Sequence, residues 1–521
     1  VKLLLDQISA HVQQTPHRIA VHHQGADWTY AQIWRWACQV RDDCLTGNLQ
    51  PGDRVGLILG NSVEYVVAFL GTWMAGGIPV AINPATTLRE LERSLAQAEP
   101  ALVVTQPEAA HWIEQSPASW PALKQILLAP ASNGTREFAS THFSVSHWNA
   151  YRDTGSFESA ADRPRDPDAP AQIIYTSGTS GSPKGVTLSH RNLAANAESI
   201  ISYLELSSSD SMFVILPFYY SYGNSLLTTH LAVGARLILA SDFVFWNRAL
   251  DLMQTQQATG LAGVPSSFAM LAHKSDFLRR PWPQLRYLTC AGGGLPAPLA
   301  EQLRNALPHV DLYLMYGQTE ATARLATLLP SDLPHKLGSI GRPIPGVSLD
   351  LLDENSQSVA PGEVGEIVAR GENLMLGYWR DPAETARTLR PEGLRTGDLA
   401  RQDTEGYFYL AGRQSDLIKS GAYRIHPLEL EDALYELPEV LEAAVVGLPD
   451  SILGEVPVAF IVLKPTDSSA RSTEELIAAA NRQLPRYKAL RELRLVPSLP
   501  KTSSGKIRRA ALRDAAAPST E

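Results

Sequence analysis

The sequence predicts an α/β fold: a large N-terminal domain of layered α/β subdomains, followed by a small α+β C-terminal domain. Three observations predict it. Over the first four hundred residues, short apolar runs alternate with segments of helical periodicity, the pattern of largely parallel sheets covered by helices. Polar, glycine-rich clusters directly follow several of the apolar runs, and in such sheets ligands collect beyond the carboxyl ends of the strands. From Val364 onward the character changes to strand-like pieces such as GEIVARG and GYFYLAGR, and a last hundred residues carry enough elements for a domain of their own.

Taken in order, VKLLLDQISAHVQQ places Asp6 inside a short apolar stretch and reads as an amphipathic helix, not a signal sequence. Val55–Leu59, Leu102–Thr105, Ile173–Thr176, Met212–Leu216, Leu285–Thr289 and Leu312–Met315 read as buried strands. Ser189–Leu204 reads as a helix, with Leu193, Ala197, Ile200, Ile201 and Leu204 on one face. The most apolar region, Val55 to Pro84, is interrupted by Asn61, Glu64 and glycines, so no membrane span is expected. Arg152–Pro170, rich in Asp, Pro and Ser, reads as a surface connection. A domain break is expected near Arg413–Asp416, giving domains 1–413 and 414–521. The second of these should hold helices Leu428–Leu437 and Thr473–Leu484, two strands, a short strand near Leu493–Val496 and a terminal helix.

Bulk properties narrow the function. A 521-residue chain with net charge −9 offers no basic surface for nucleic acid. Three cysteines at unrelated spacings form neither a disulfide framework nor a zinc site, and a reducing cytoplasm is expected. The stretch YTSGTSGSPKG (175–185) packs three glycines, five small hydroxyl residues and one lysine behind an apolar run. That is a nest of anion-binding donors. It is not the common phosphate loop, which needs lysine directly after the last glycine and Ser or Thr after that lysine. Gly505-Lys506 is followed by Ile507 and fails the same template.

Five further clusters follow in order: LPFYYSYG (216–223), AGGG (291–294), YGQTE (316–320), RTGDL (395–399) with GRQSDLIKSGAYRIHPLELE (412–431), and PKTSSGKIRR (500–509). Together the six resemble the adenylate-forming superfamily of acyl-CoA synthetases, peptide-synthetase adenylation domains and beetle luciferases, over essentially the whole chain. The resemblance implies ATP and Mg²⁺ as cofactors and a mobile C-terminal domain. It implies that Thr176, Ser177, Gly178, Thr179 and Lys184 wrap the β- and γ-phosphates, and that Gly292, Gly293 and Gly294 approach adenine, with Tyr316 stacked on its other face. Thr319 would meet the α-phosphate, Glu320 would hold Mg²⁺, Asp398 would accept from the ribose hydroxyls, and Arg413 would help from the hinge side.

Lys506 would be the lysine that bridges the acyl carboxylate and the α-phosphate. Two anions approach one another in that step, and a preplaced cation offsets the charge that builds up. The resemblance also implies a second half-reaction, in which the small domain rotates and the Lys419–Arg424 loop, with Gly421 at its tight point, replaces Lys506. The hinge position, usually Asp or Lys, is Ser415 here, with Asp416 next.

Tyr219, Tyr220, Ser221, Gly223, Ala262 and Gly263 are the expected substrate pocket. Tyr219 stands where α-amino-acid-activating domains carry aspartate, and a buried ammonium without a counter-charge is costly. An apolar acyl or aryl acid is therefore expected. Arg324, one turn after Glu320, is expected to cap or pair at the surface rather than to meet an acidic substrate group. Fifteen residues follow Lys506, too few for a carrier domain, so the acceptor is expected from outside: CoA, or the phosphopantetheine of a separate carrier protein. The favoured reading is a carboxylic acid:CoA ligase, ahead of a free-standing enzyme that loads a carrier protein. A luciferase-like oxidase or a silent binding relative stands behind both.

Overall fold

The computed structural model describes residues 2–130, 138–148, 165–176, 183–240, 246–421, 423–464, 471–502 and 505–516. Apolar runs too short for helices become the strands of two open sheets. One sheet has nine strands, in spatial order Arg342–Pro343, Ala326–Leu328, Asp311–Tyr316, Tyr287–Cys290, Gly260–Gly263, Ser211–Val214, Arg236–Leu239, Ile19–His23 and Ala26–Thr29. Its six inner strands, from Asp311–Tyr316 to Ile19–His23, run parallel. The other has eight, in the order Gly377–Tyr378, Lys184–Ser189, Pro170–Thr176, Ile78–Ile82, Arg54–Ile58, Leu102–Thr105, Gln125–Leu128 and Ser144–His147.

The apolar stretch after Val55 is explained by what lies between these sheets. Helix Val63–Met74 buries every residue except Glu64. A helix apolar all round belongs in a core or a membrane, and this one belongs in a core. Phe69 and Trp73 share one apolar cluster with Val21, Val214 and Leu237 of the first sheet and with Leu57, Ile174 and Val186 of the second. The Trp73 indole N–H donates to the Ala171 carbonyl at 2.7 Å, which satisfies its one polar atom. Among the described residues, no helix is long and apolar enough to cross a membrane.

The expected strands form within a few residues of their predicted limits, and helix His190–Leu204 starts where predicted. Its N-terminus is a capping box between Ser189 and Asn192. Ile78–Ile82, Gln125–Leu128, Arg236–Leu239 and Gly260–Gly263 are strands that the sequence pattern did not mark. The expected connection Arg152–Pro170 lies outside the described residues up to position 164.

A third, antiparallel sheet is built from Val347–Leu352, Gly365–Gly371, Gly393–Gln402 and Leu389–Arg390, with Phe408–Arg413 paired to Gly393–Gln402. The RTGDL cluster is thus the middle of a ten-residue strand. Beyond it comes the small C-terminal sheet, ordered Tyr423–Ile425, Ile418–Ser420, Gly454–Leu463, Val440–Asp450, with Glu492–Leu495 parallel to Gly454–Leu463. Helices Pro427–Tyr435 and Thr473–Asn481 cover it, and Ile418, Leu430, Val445, Ile461 and Leu476 form its own core.

Candidate active site

Strand ends position most of the site. Thr176 ends Pro170–Thr176 and pairs across the hairpin with Lys184, which opens Lys184–Ser189. Ser177, Gly178 and Thr179 lie outside the described residues. The Lys184 ammonium is 2.5 Å from a Glu384 carboxylate oxygen and 5.2 Å from the centre of the Tyr378 ring. Glu384 sits in the first turn of helix Pro382–Thr388, which Asp381 caps. Tyr378 also donates its phenol to Glu320 at 2.9 Å. Burial, and then the Glu320 carboxylate, push that phenol's pKa well up, so it stays a donor. Neither Tyr378 nor Glu384 stands out in the sequence. The cue would have been an aromatic and an acid close together in GYWRDPAET, a segment outside all six clusters.

At the other sheet, strand Tyr287–Cys290 leads into Gly292, Gly293 and Gly294, which are all exposed. Gly292 has φ of +88°, a conformation that suits glycine. Tyr316 closes strand Asp311–Tyr316, and its phenol donates to Asp398 at 2.7 Å. The other Asp398 oxygen forms an ion pair with Arg413, 2.9 Å from its Nε. This arrangement follows from strand register, since Asp398 and Arg413 are directly opposed across two antiparallel strands. Asp398 is buried, and its own backbone N–H is taken by Thr396 Oγ1. Thr319 and Glu320 fall in the short 3₁₀ turn after Tyr316, and Thr319 Oγ1 lies 3.1 Å from Ser221 Oγ.

Lys506 arrives from the C-terminal side. Lys501 and Ile507 pair as a β-bridge, and the turn between them bonds Thr502 N–H to the Lys506 carbonyl at 2.8 Å. Gly505 takes φ of +82° there, and a Cβ on it would come within 2.8 Å of Val264. The hairpin thus packs its glycine on the loop after strand Gly260–Gly263. The Lys506 stem passes beside Gly292, where an added Cβ would lie 3.6 Å from Cε. Lys506 keeps solvent contact, yet its pKa is lowered by the surrounding protein and then by Arg413, against the opposing pull of Asp398 and Glu320. Lys506, Arg413, Asp398 and Glu320 therefore lie within electrostatic reach of one another.

Two groups of predicted residues stay apart from it. Lys419 and Gly421 lie on a β-hairpin, not an irregular loop: strand Ile418–Ser420 turns into Tyr423–Ile425. The Lys419 amide bonds Glu455 at 2.8 Å and the Gly421 amide bonds the Leu453 carbonyl, both within the C-terminal sheet. Ser415 lies in the 3₁₀ turn Gln414–Asp416. The neighbouring Asp416 is held by Arg509 at 3.3 Å and Arg513 at 3.7 Å, and Arg509 also grips buried Glu431 through two hydrogen bonds. This clasp was not visible in the sequence, because Asp416 and Arg509 are distant along the chain.

In the expected substrate pocket, the Tyr219 and Tyr220 rings meet edge-on at 4.8 Å. Burial, with Tyr220 beside it, pushes the Tyr219 phenol up to about 12. Tyr220 precedes helix Ser221–Ala232. Ala262 is fully buried in the core. Gly223 serves close packing, since a Cβ there would lie 2.0 Å from the Pro217 carbonyl oxygen, and Gly263 packs beside Ser267 and Phe268. Arg324 corrects the sequence reading outright. It is 3% exposed, far from a surface role, and its guanidinium lies 4.0 Å over the Tyr222 ring. A left-handed turn at Thr322, with φ of +65°, brings the chain back in front of strand Ala326–Leu328 and buries it.

Glycines and polar side chains at strand ends, an acid–arginine–tyrosine cluster and a lysine on the C-terminal hairpin match an adenylate-forming enzyme. Comparisons with known proteins agree. The "AMP-binding enzyme" family model matches residues 8–379, and the "AMP-binding enzyme C-terminal domain" model matches 429–506. Feruloyl-CoA synthase from an Amycolatopsis species is 32% identical over 504 residues, 95% of each chain. A long-chain-fatty-acid–CoA ligase from Bacillus subtilis is 31% identical over 520 residues, 95% of this chain and 91% of its own. Among solved structures, an anthranilate CoA ligase in complex with anthranoyl-AMP superposes with a TM-score of 0.89 at 29% identity, over 99% of this chain and 97% of that one. The chain belongs to the AMP-binding enzyme family.

Proposed function

We propose that this protein is an AMP-forming carboxylic acid:CoA ligase. It condenses a carboxylate with ATP to give acyl-AMP and pyrophosphate, then passes the acyl group to the CoA thiol. The observation that carries the reading is the Lys506 stem beside Gly292, with the Asp398–Arg413 pair and Glu320 within electrostatic reach of its ammonium. Lys506 is assigned to charge neutralisation between carboxylate and α-phosphate. Asp398 and Arg413 are assigned to the ribose, Tyr316 and Gly292–Gly294 to the adenine, and Thr176 and Lys184 to the outer phosphates. Thr319 is assigned to the α-phosphate.

Glu320 fits a Mg²⁺ site. One of its oxygens accepts from Tyr378, and among the described residues the other makes no hydrogen bond. A single carboxylate oxygen is enough, because Mg²⁺ takes its remaining ligands from phosphates and water. Bound there, the ion would neutralise phosphate charge. The domain division at 413/414, with Ser415 as pivot and the Lys419–Gly421 hairpin entering for thioester formation, is part of the same proposal.

The half-buried Tyr219–Tyr220 pair and the absence of an aspartate at Tyr219 favour an apolar acyl or aryl acid. The test is pyrophosphate exchange across fatty, aryl, β-amino and cyclic amino acids, with each hit then given CoA or a phosphopantetheinylated carrier protein. At least one acid should drive exchange and yield acyl-CoA. Transfer only to the carrier would reverse the acceptor assignment, and no exchange with any acid would sink the ligase reading.

A further inference from the structure

The acyl pocket has a feature that a plain apolar acid does not explain. Arg324 is 3% exposed, and among the described residues it forms no ion pair with a carboxylate. Its Nε faces the Met315 sulfur at 3.2 Å, one terminal nitrogen donates to the Ala323 carbonyl at 3.0 Å, and the Tyr203 hydroxyl is a further polar neighbour. The Tyr222 ring covers one face of the guanidinium. A thioether, one carbonyl, a phenol and a ring are neutral partners, so a buried five-donor cation is left without an anion, an arrangement a fold does not keep cheaply. The Tyr222 phenol is meanwhile tied to Thr289, through the carbonyl at 2.9 Å and Oγ1 at 2.8 Å, so the ring beneath the guanidinium is fixed in place.

The position of this cation decides what it could recognise. Tyr222 follows Ser221, whose hydroxyl meets Thr319, the residue assigned above to the α-phosphate. Arg324 is four residues beyond Glu320, with the chain reversed at Thr322. Its guanidinium lies over the ring of Tyr222, whose chain neighbours Ser221 and Gly223 belong to the expected substrate pocket, so it borders that pocket on the side away from Thr319's hydroxyl partner.

We propose that Arg324 is a specificity residue that reads a second carboxylate at the far end of the acyl substrate, making this enzyme a ligase for dicarboxylic acids with an apolar middle. This rests on the ligase reading above. A planar guanidinium pairs bidentately with a carboxylate, and a site built around such a pair rejects the uncharged analogue, because the buried cation is then left unmatched.

The test uses the intact enzyme with three matched pairs of different length: adipic, suberic and terephthalic acids against their monomethyl esters, followed by acyl-CoA formation. For at least one pair the wild type should favour the diacid by about a hundredfold in kcat/KM. Arg324→Met should abolish that preference while keeping half-ester turnover, and Arg324→Lys should restore part of it. The ratio within each variant is unaffected by loss of folded protein. Wild-type enzyme that uses the half-esters as well as the diacids in every pair would overturn the inference. So would Arg324→Met losing both members equally. Turnover of neutral acids alone defeats only this inference, whereas a complete lack of pyrophosphate exchange defeats the ligase reading itself.

Discussion

Replacing Lys506 with alanine should lower acid-dependent pyrophosphate exchange by about a thousandfold, roughly 4 kcal/mol of transition-state stabilisation. The side chain comes from a hairpin whose own bonds, from Thr502 and the Lys501–Ile507 bridge, do not involve the ammonium. The variant should therefore fold, and its melting temperature should stay near that of the wild type. Thioester formation from supplied acyl-adenylate and CoA should survive, because that half-reaction is assigned to the Lys419–Gly421 hairpin. Equal loss of both half-reactions would remove Lys506 from the role proposed for it.

Asp398 is where the second large effect is expected. Its two oxygens hold the Tyr316 phenol and Arg413, and its charge counters the mutual repulsion of Arg413 and Lys506. Asp398→Ala strands a buried phenol, at about 1–3 kcal/mol, and leaves two cations facing one another. The melting temperature should fall and kcat/KM for ATP should drop by at least about a hundredfold, about 2.7 kcal/mol of lost transition-state stabilisation.

Asp398→Asn separates the two roles. The amide can still bond Tyr316, so stability should be largely kept. The Asp398 carboxylate raises the Lys506 pKa, so losing its charge lets Lys506 deprotonate more readily. Adenylation by the Asn variant should therefore fall off at a lower pH than in the wild type, on the alkaline side of the pH–rate profile. An unmoved alkaline limb would show that the two charges are not coupled.

Much of this site could be read from sequence because its parts are local. A strand followed by glycines or by Thr319-Glu320 announces itself in a few residues, and the parallel order of the strands then brings their ends together. What stayed hidden depends on pairing over long separations. Strand Gly393–Gln402 carries no strand pattern in the sequence, because RTGDL is polar and glycine-containing, yet register against Phe408–Arg413 is what sets Asp398 beside Arg413. Tyr378 and Glu384 join the phosphate hairpin only because strand Gly377–Tyr378 adds to the edge of its sheet. Arg324 was misread for a related reason. A charged residue near a turn is normally solvated, and only the reversal at Thr322 shows that this one is folded inward.

The Asp416–Arg509–Glu431 clasp has a mechanical consequence. Arg509 stands three residues after Lys506 and is bolted both to the linker and to helix Pro427–Tyr435. Linker, helix and lysine-bearing hairpin are thus tied to one another by one guanidinium. Under the rotation proposed above, they would turn together, carrying the ammonium with them.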